Sequence, residues 1–385
     1  MKRVLLAGGG QTHVLVLHQL ARRSLARDAE NLDITVVTPS ESLPYSGMLP
    51  GWMAGHYRLD EFLIPMAPLA RAAGARLVLA NVQTLDLAAS EVITDTAEKL
   101  RFDTLSIATG SIIDVEAITG ARTHALPLRP LDAFITGWQQ ILQRASVTHR
   151  VLQVTVIGGG AAGVEAALAA AYRARSLRLR VQLITGRLPL LPGHGTRARA
   201  LMHAALLANS VSVVEATVVE IGADRIMLDS GQSLSTDATL LSTGAAADTW
   251  PRAAGLETDQ RGFIAVDAQL RSTSHPIVFA AGDAATLTHS PRAKSGVYAV
   301  RAATPLAYNL MAAATGRPLE QFRPQRRALY LLTTGAKRAI ASWGKWAIAG
   351  RWIWRWKDSI DRDYIAKLTD SVTISNTDKP TRSAP

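Results

Sequence analysis

Short apolar runs that end in glycine alternate with helix-compatible stretches along this chain. Residues 2–7, KRVLLA, turn from polar to apolar; three glycines follow at 8–10, and then the run QTHVLVLHQLA. An apolar run this short, closed by glycine, predicts a buried strand, and the longer run after it predicts a helix. The same order returns in VTVIGGGAAG at 154–163, which leads into VEAALAAAYR. FDTLSIATGS at 102–111 and DATLLSTG at 237–244 predict strands that end in a Thr-Gly turn. HPIVFAAGDAA at 275–285 predicts a strand that delivers Gly282 and Asp283 to the head of a loop. Between the repeats, Pro127 and Pro130 punctuate the chain, and LDAFITGWQQILQRA predicts an amphipathic helix. Strand–turn–helix units of this kind, met twice, predict an α/β protein with two doubly wound, Rossmann-like domains.

The glycine spacing points to the chemistry. In G-x-G-x-x-G the first glycine permits the tight turn, the second lets the backbone approach a pyrophosphate, and the third lets helix close on strand. Gly158, Gly160 and Gly163 complete the pattern. The first repeat has Gly8 and Gly10 but His13 in third place, which predicts a helix standing slightly off its strand. In each unit the phosphates would sit at a helix N-terminus, where free N–H groups and the dipole favour anions. Such domains also carry an acid at the end of the second strand for ribose hydroxyls. Here those places hold Thr38 and Thr185, with Arg187 two residues beyond the second. Arg187 either pairs with a 2′-phosphate, pointing to NADPH, or is one more surface arginine of a basic chain.

Charge and cysteine count then narrow the classes. With 42 Lys and Arg against 31 Asp and Glu, the chain carries +11, a balance that suits nucleic acid, a membrane surface or an acidic ligand. Nucleic acid is not expected, because outside the tail basic residues are not interleaved with aromatics. There is no cysteine, which excludes disulfides, thiolate nucleophiles and cysteine-bound metals in this chain. The nine histidines lack metal-ligand spacing, and no metal is expected. The opening MKRVLLAGGG has the basic-then-apolar look of a signal peptide, but its apolar part is only about five residues and reads as a first strand. No apolar run is long enough to span a bilayer.

The tail adds one feature. Five of the eight tryptophans lie at Trp343, Trp346, Trp352, Trp354 and Trp356, with Lys345, Arg351, Arg355 and Lys357 among them. On a helix from about Gly350, Trp352, Trp356 and Ile360 share a stripe and the cations lie off it. The pattern fits a peripheral contact with an anionic membrane surface, or a cap whose tryptophans pack on the rest of the protein.

Taken in order, GGG, PYSGMLPG, IATGS, GGGAAGVE, STG and VFAAGD resemble the FAD-dependent pyridine nucleotide–disulfide oxidoreductase family over roughly residues 1–322. The resemblance implies an FAD site on the first glycine loop and an NAD(P)H site on the second. Carried over, FAD would meet Gly8, Gly10, His13 and Thr38, with Val82 against the adenine. Ala108, Thr109 and Gly110 would close its pocket, and Gly282 would bring Asp283 to the ribityl chain. NAD(P)H would meet Gly158, Gly160, Gly163, Thr185, Arg187 and Gly244. Without cysteine, the disulfide-reducing, peroxide-reducing and sulfide:quinone branches are set aside. What is left resembles the type II NADH dehydrogenases and, more narrowly in RPQRRALYLLTTGAKRAIASWG and GRWIWRWKDSIDRDYI, the oxidoreductase found fused to or beside selenophosphate synthetase.

The activity implied is hydride transfer from nicotinamide C4 to flavin N5, followed by electron transfer to a quinone-type acceptor. Glu165 would lie at the nicotinamide–flavin contact, and Lys294 would be a cation at the flavin N1–C2 edge. Where type II dehydrogenases carry a glutamine pair for quinone, this chain has Val297 and Arg301. Two other activities stay open: a soluble reductase of a protein or selenium-related acceptor, and a non-enzymatic, NAD(P)H-responsive flavoprotein. The expected layout nests the two domains. FAD-binding parts at 1–120 and 246–322 flank a linker and helix at 121–150 and an NAD(P)H-binding domain at 151–245. A hairpin-plus-helix cap or membrane-contact region at 323–370 and a disordered tail at 371–385 would follow. The expected location is cytoplasmic, peripheral on the inner face of the membrane, and the oligomeric state is left open.

Overall fold

The computed structural model describes residues 1–22 and 32–377, with side chains as far as Thr369. Strand β1 (Lys2–Ala7) and helix α1 (Gln11–Leu20) open the chain, and β2 (Leu32–Thr38), β3 (Ala75–Leu79) and β4 (Thr104–Ile107) follow. A second set then intervenes. It runs β5 (Ala125–Pro127), α2 (Leu131–Val147), β6 (Leu152–Ile157), α3 (Ala161–Arg173), β7 (Leu179–Ile184), β8 (Ser212–Val214) and β9 (Ala238–Leu241). Only after it does β10 (Val278–Ala280) return to the first sheet, followed by α4 (Gly296–Thr315).

Both sheets are parallel throughout, in the orders β10-β4-β1-β2-β3 and β5-β9-β6-β7-β8. Parallel sheets are covered on both faces, so their strands read as continuous apolar runs. Val4–Ala7 of β1 and Val154–Ile157 of β6 are accordingly buried one after another. The core is divided to match: one cluster gathers β1, β2, α1 and α4, the other β6, β7, α3 and the apolar face of α2. That face is Phe134, Ile135, Trp138, Ile141 and Ala145, at the spacing of successive helical turns. A small antiparallel sheet, Val218–Ile221, Arg225–Leu228 and Ser233–Ser235, leads from β8 towards β9.

The C-terminal region has one strand more than a hairpin. Strands β11 (Leu329–Thr334), β12 (Ala336–Trp343) and β13 (Trp346–Gly350) form an antiparallel sheet, and helix α5 (Arg351–Thr377) follows. The extra strand exists because Gly344, at φ +59°, turns WAIAG back onto β12. The disorder expected from residue 371 does not begin there. The helix continues to Thr377, since the first strong breaker in this stretch is Pro380, and residues 378–385 lie outside the described residues.

Candidate functional site

In each sheet the strand order reverses beside the unit's first strand, between β1 and β4 and between β6 and β9. Ligands of doubly wound sheets bind in the crevice at such a switch point, at the strands' C-terminal ends. Both glycine loops stand there. Gly8 (φ +101°) and Gly158 (φ +132°) adopt left-handed backbone, and a Cβ on them would lie 2.7 Å from Thr109 Cα and 2.0 Å from the Ser242 carbonyl oxygen. No other residue fits either place. Thr38 and Thr185, where acids were sought, are buried directly beneath the loops. A Cβ on Gly9 would lie 2.5 Å from Thr38 Oγ1, and one on Gly159 2.9 Å from Thr185 Cβ.

Gly10 and Gly160 differ. A Cβ on Gly10 would lie 2.5 Å from the Ala108 carbonyl oxygen, whereas nothing lies within 4 Å of one on Gly160. Gly160 caps α3 with ordinary extended backbone, φ −73° and ψ 173°, so its lack of a side chain serves what approaches from outside. Thr109 is exposed, and Gly110 (φ +85°) and Gly244 (φ +110°) face open space at the ends of the neighbouring strands.

The third fingerprint position is solved in two ways. A Cβ on Gly163 would lie 2.1 Å from the Gly158 carbonyl oxygen, so the second helix needs glycine. In the first unit His13 fills the gap: it is fully buried, with Nδ1 2.6 Å from the Gly8 carbonyl oxygen and Nε2 2.8 Å from Ser106 Oγ. Both ring nitrogens are thereby occupied, which corrects the expectation that His13 touches FAD. It holds the loop from behind. Burial drops its pKa to about 4, so the imidazole is neutral. The unfolded chain takes this proton near pH 6.5, the folded one only near 4. The stability involved is complete above pH 6.5 and lost as pH falls towards 4, by about 3 kcal/mol. Denaturant unfolding of His13→Gly beside the wild type checks this. The variant's deficit should narrow by about that amount from pH 7 to pH 4, and a constant deficit would refute the linkage.

At the end of β10, Gly282 (φ +69°) turns the chain and presents Asp283. Arg129 Nη1 donates to Asp283 Oδ2 at 2.9 Å and to Ser111 Oγ at 2.6 Å, bridging both strand ends. Arg129, between two prolines in the linker, belongs to no motif and was missed in the sequence. The N-termini of α1 and α4 converge at the same place, since a Cβ on Gly296 would lie 2.9 Å from Gln11 Oε1 and one on Gly282 3.1 Å from Thr12 Oγ1. Two positive helix ends beside a carboxylate suit a ligand that carries both a pyrophosphate and a polyol. FAD is such a ligand, and the residues present fit it. Val82, half-buried, begins the strand Val82–Asp86. Lys294 lines the cavity behind Asp283, but its ammonium is spent on protein. It donates to the Ala285 carbonyl oxygen at 2.5 Å and Thr286 Oγ1 at 2.9 Å, and lies 3.7 Å from the centre of the Phe263 ring. Burial lowers its pKa to about 8.

Glu165 reaches across to the C-terminal sheet. Its Oε1 accepts from the Thr333 backbone N–H at 2.6 Å and from Thr333 Oγ1 at 2.9 Å. Burial pushes this carboxyl up, and the nearby Lys357 ammonium opposes the rise. Lys357 Nζ donates to the Gly47 carbonyl oxygen at 2.7 Å and to Asp361 Oδ2 at 2.5 Å; Tyr45 Oη donates to Asp361 Oδ1 at 3.1 Å, and Tyr364 stacks on Tyr45. Lys357 therefore belongs to a buried cluster of charges and is not available to lipid, which corrects its reading as a surface cation. Val297 and Arg301 lie in the first turns of α4.

Arg187 is well exposed and pairs with Asp229, Nη2 2.5 Å from Oδ2. The tryptophans of the tail divide. Trp354 is buried with Ile353, while Trp343, Trp346, Ile348, Trp352, Trp356 and Ile360 are each at least 43 % exposed. Among the described residues no helix is long and apolar enough to cross a membrane.

The sequence profile of the pyridine nucleotide-disulphide oxidoreductase family matches residues 3–305. A NADH dehydrogenase-like protein of Mycobacterium tuberculosis is 27 % identical over 299 residues, which cover 74 % of this chain and 73 % of the relative. A demethylphylloquinone reductase of Synechocystis is 25 % identical over 291 residues, covering 72 % and 71 %. Among solved structures, the sulfide:quinone oxidoreductase of Aquifex aeolicus superposes with a TM-score of 0.80 at 18 % identity, over 96 % of this chain and 92 % of that one.

Proposed function

The chain belongs to the pyridine nucleotide-disulphide oxidoreductase family, as an FAD-dependent oxidoreductase of NAD(P)H, and we propose that it passes its electrons to a quinone at a membrane surface. Lacking cysteine, it uses no disulfide of its own. FAD, when bound, would supply the acceptance of hydride and its release as one or two electrons. The residues of the chain do the rest. The loop Gly158–Gly163 and the N-terminus of α3 bind the nicotinamide nucleotide's pyrophosphate, with Thr185, Arg187 and Gly244 around its ribose and the turn beyond. Gly8, Gly10, Thr109, Gly110 and the N-terminus of α1 hold the FAD pyrophosphate, Asp283 its polyol and Val82 its adenine. Arg129 fixes the Asp283 carboxylate. Glu165, held by the Thr333 N–H and hydroxyl, would stand at the nicotinamide–flavin contact.

The observation that carries the acceptor is the set of exposed apolar side chains on β12, β13 and α5. Trp343, Trp346, Ile348, Trp352, Trp356 and Ile360 stand in water, with Arg327 over Trp343 and Arg351 and Arg355 exposed beside them. Tryptophan with nearby cations favours the headgroup layer of an anionic bilayer, where a lipid-soluble quinone is reached. The name of one relative supports the same acceptor: the Synechocystis protein is a demethylphylloquinone reductase. Vesicles of anionic lipid containing a long-chain quinone test the reading. They should sediment the protein at low salt and accelerate NADH oxidation, and Trp352→Ala with Trp356→Ala should abolish both while sparing turnover of a water-soluble quinone. Wild-type protein left in the supernatant at low salt would overturn the membrane surface.

A further inference from the structure

The ribose end of the second glycine loop carries a charge arrangement of its own. Its strand ends in Thr185, packed under Gly159, in place of an acid. Just beyond, Gly186 (φ +75°) faces open space, and Arg187, next in the chain, is exposed. The guanidinium places both Nε and Nη2 on one oxygen, Asp229 Oδ2, at 3.2 and 2.5 Å. Asp229 comes from a different element. It follows the strand Arg225–Leu228, and its N–H donates to the Thr217 carbonyl oxygen at 2.9 Å, so the small antiparallel sheet fixes where the carboxylate stands.

We infer that Asp229 determines the nicotinamide preference by holding Arg187 in a neutral pair. A free arginine at this position would reward a 2′-phosphate with two charge-assisted hydrogen bonds. Paired with Asp229, it offers an incoming phosphate one cation and one anion, and the reward largely cancels. The adenosine 2′-hydroxyl of NADH loses nothing from this. The carboxylate thus supplies, from outside the fingerprint, the negative charge that the end of β7 lacks. The pair is exposed, so it is weak and can open. Discrimination is accordingly modest in the wild type, and removing either partner shifts it in opposite directions.

The inference rests on residues 158–163 being a nicotinamide nucleotide site, and binding of two fragments separates the two. Calorimetric titration of the flavin-loaded protein with 5′-AMP and with adenosine 2′,5′-bisphosphate compares the wild type with Asp229→Asn, Arg187→Ala and the double variant. Asp229→Asn is expected to bind the bisphosphate about fivefold more tightly with AMP unchanged, the size of one exposed ion pair released. Arg187→Ala should weaken the bisphosphate alone by leaving the Asp229 carboxylate unpaired, and the double variant, which lacks that carboxylate too, should return towards the wild type. The ratio of kcat/KM for NADPH over NADH should move in the same order. An Asp229→Asn protein with the wild-type ratio of fragment affinities would overturn the role of Asp229 while leaving the nucleotide site intact. Failure of AMP to bind any variant, or to compete with NADH, would overturn the site and this inference together.

Discussion

A protein carrying valine at Gly160 is expected to fold, to purify with its flavin, and to be unreduced by NADH. The reason is the open space at this one glycine. Nothing lies within 4 Å of a Cβ there, and φ −73° with ψ 173° is backbone that a β-branched residue adopts freely. The isopropyl group instead occupies the approach of the pyrophosphate to the N-terminus of α3. Nucleotide binding then loses hydrogen bonds to a charged group, and kcat/KM for NADH should fall by about 100-fold or more. Stopped-flow reduction measures this, with absorbance at the flavin band and thermal unfolding as controls that should match the wild type. The same substitution at Gly10 should behave differently, since its Cβ meets the Ala108 carbonyl oxygen at 2.5 Å, and that protein should be largely colourless. A Gly160→Val protein reduced at the normal rate would refute the second loop as the nicotinamide site.

What the sequence carried plainly was whatever depends on local geometry. A strand followed by three glycines and a helix is legible because only glycine tolerates φ above +100° with a carbonyl 2.0 Å from its would-be Cβ, as at Gly158. The nesting of one domain in the other was legible through the distant return of VFAAGD, which becomes β10 beside β4. What was hidden depends on contacts across long stretches of chain. Arg129 meets Asp283 from 154 residues away, Lys357 meets Gly47 from 310, and Tyr45 meets Asp361 from 316. No spacing rule connects such pairs. The tail shows both cases in one helix: the stripe Trp352, Trp356 and Ile360 was found by period and is exposed, while Lys357 was assigned to solvent with its neighbours and is largely covered, paired with the buried Asp361. His13 was hidden for a different reason. Its fit depends on Ser106, whose hydroxyl takes up the second ring nitrogen of a residue too large for a glycine's place.

Replacing Lys357 by methionine is expected to cost about 3–5 kcal/mol, because removing one partner of a buried ion pair leaves the other's charge without compensation. The side chains of Lys357 and Asp361 are 12 % and 5 % exposed, so water cannot take over the ammonium's role. Glu165 also loses the cation that opposes its burial. Its carboxyl, already raised, climbs further in the variant, and ionising it in the folded state becomes more costly. A group raised in this way favours the fold at low pH and loses that favour as pH rises through its folded pKa. The deficit of Lys357→Met should therefore be largest at neutral pH and smaller near pH 4. Glu165→Gln should act in the opposite sense, since the amide oxygen can still accept from the Thr333 N–H and hydroxyl while no charge is buried. Relative to the wild type it should gain stability as pH rises above the ordinary carboxylate range. Adding Asp361→Asn to Lys357→Met should recover part of the loss, because the two residues act as a pair. Denaturant unfolding of the four proteins at pH 4 and pH 7 measures all of this. A loss below about 1 kcal/mol in Lys357→Met, the range of an exposed pair, would mean that the cluster is solvated, and Glu165 would then face water rather than a buried ammonium.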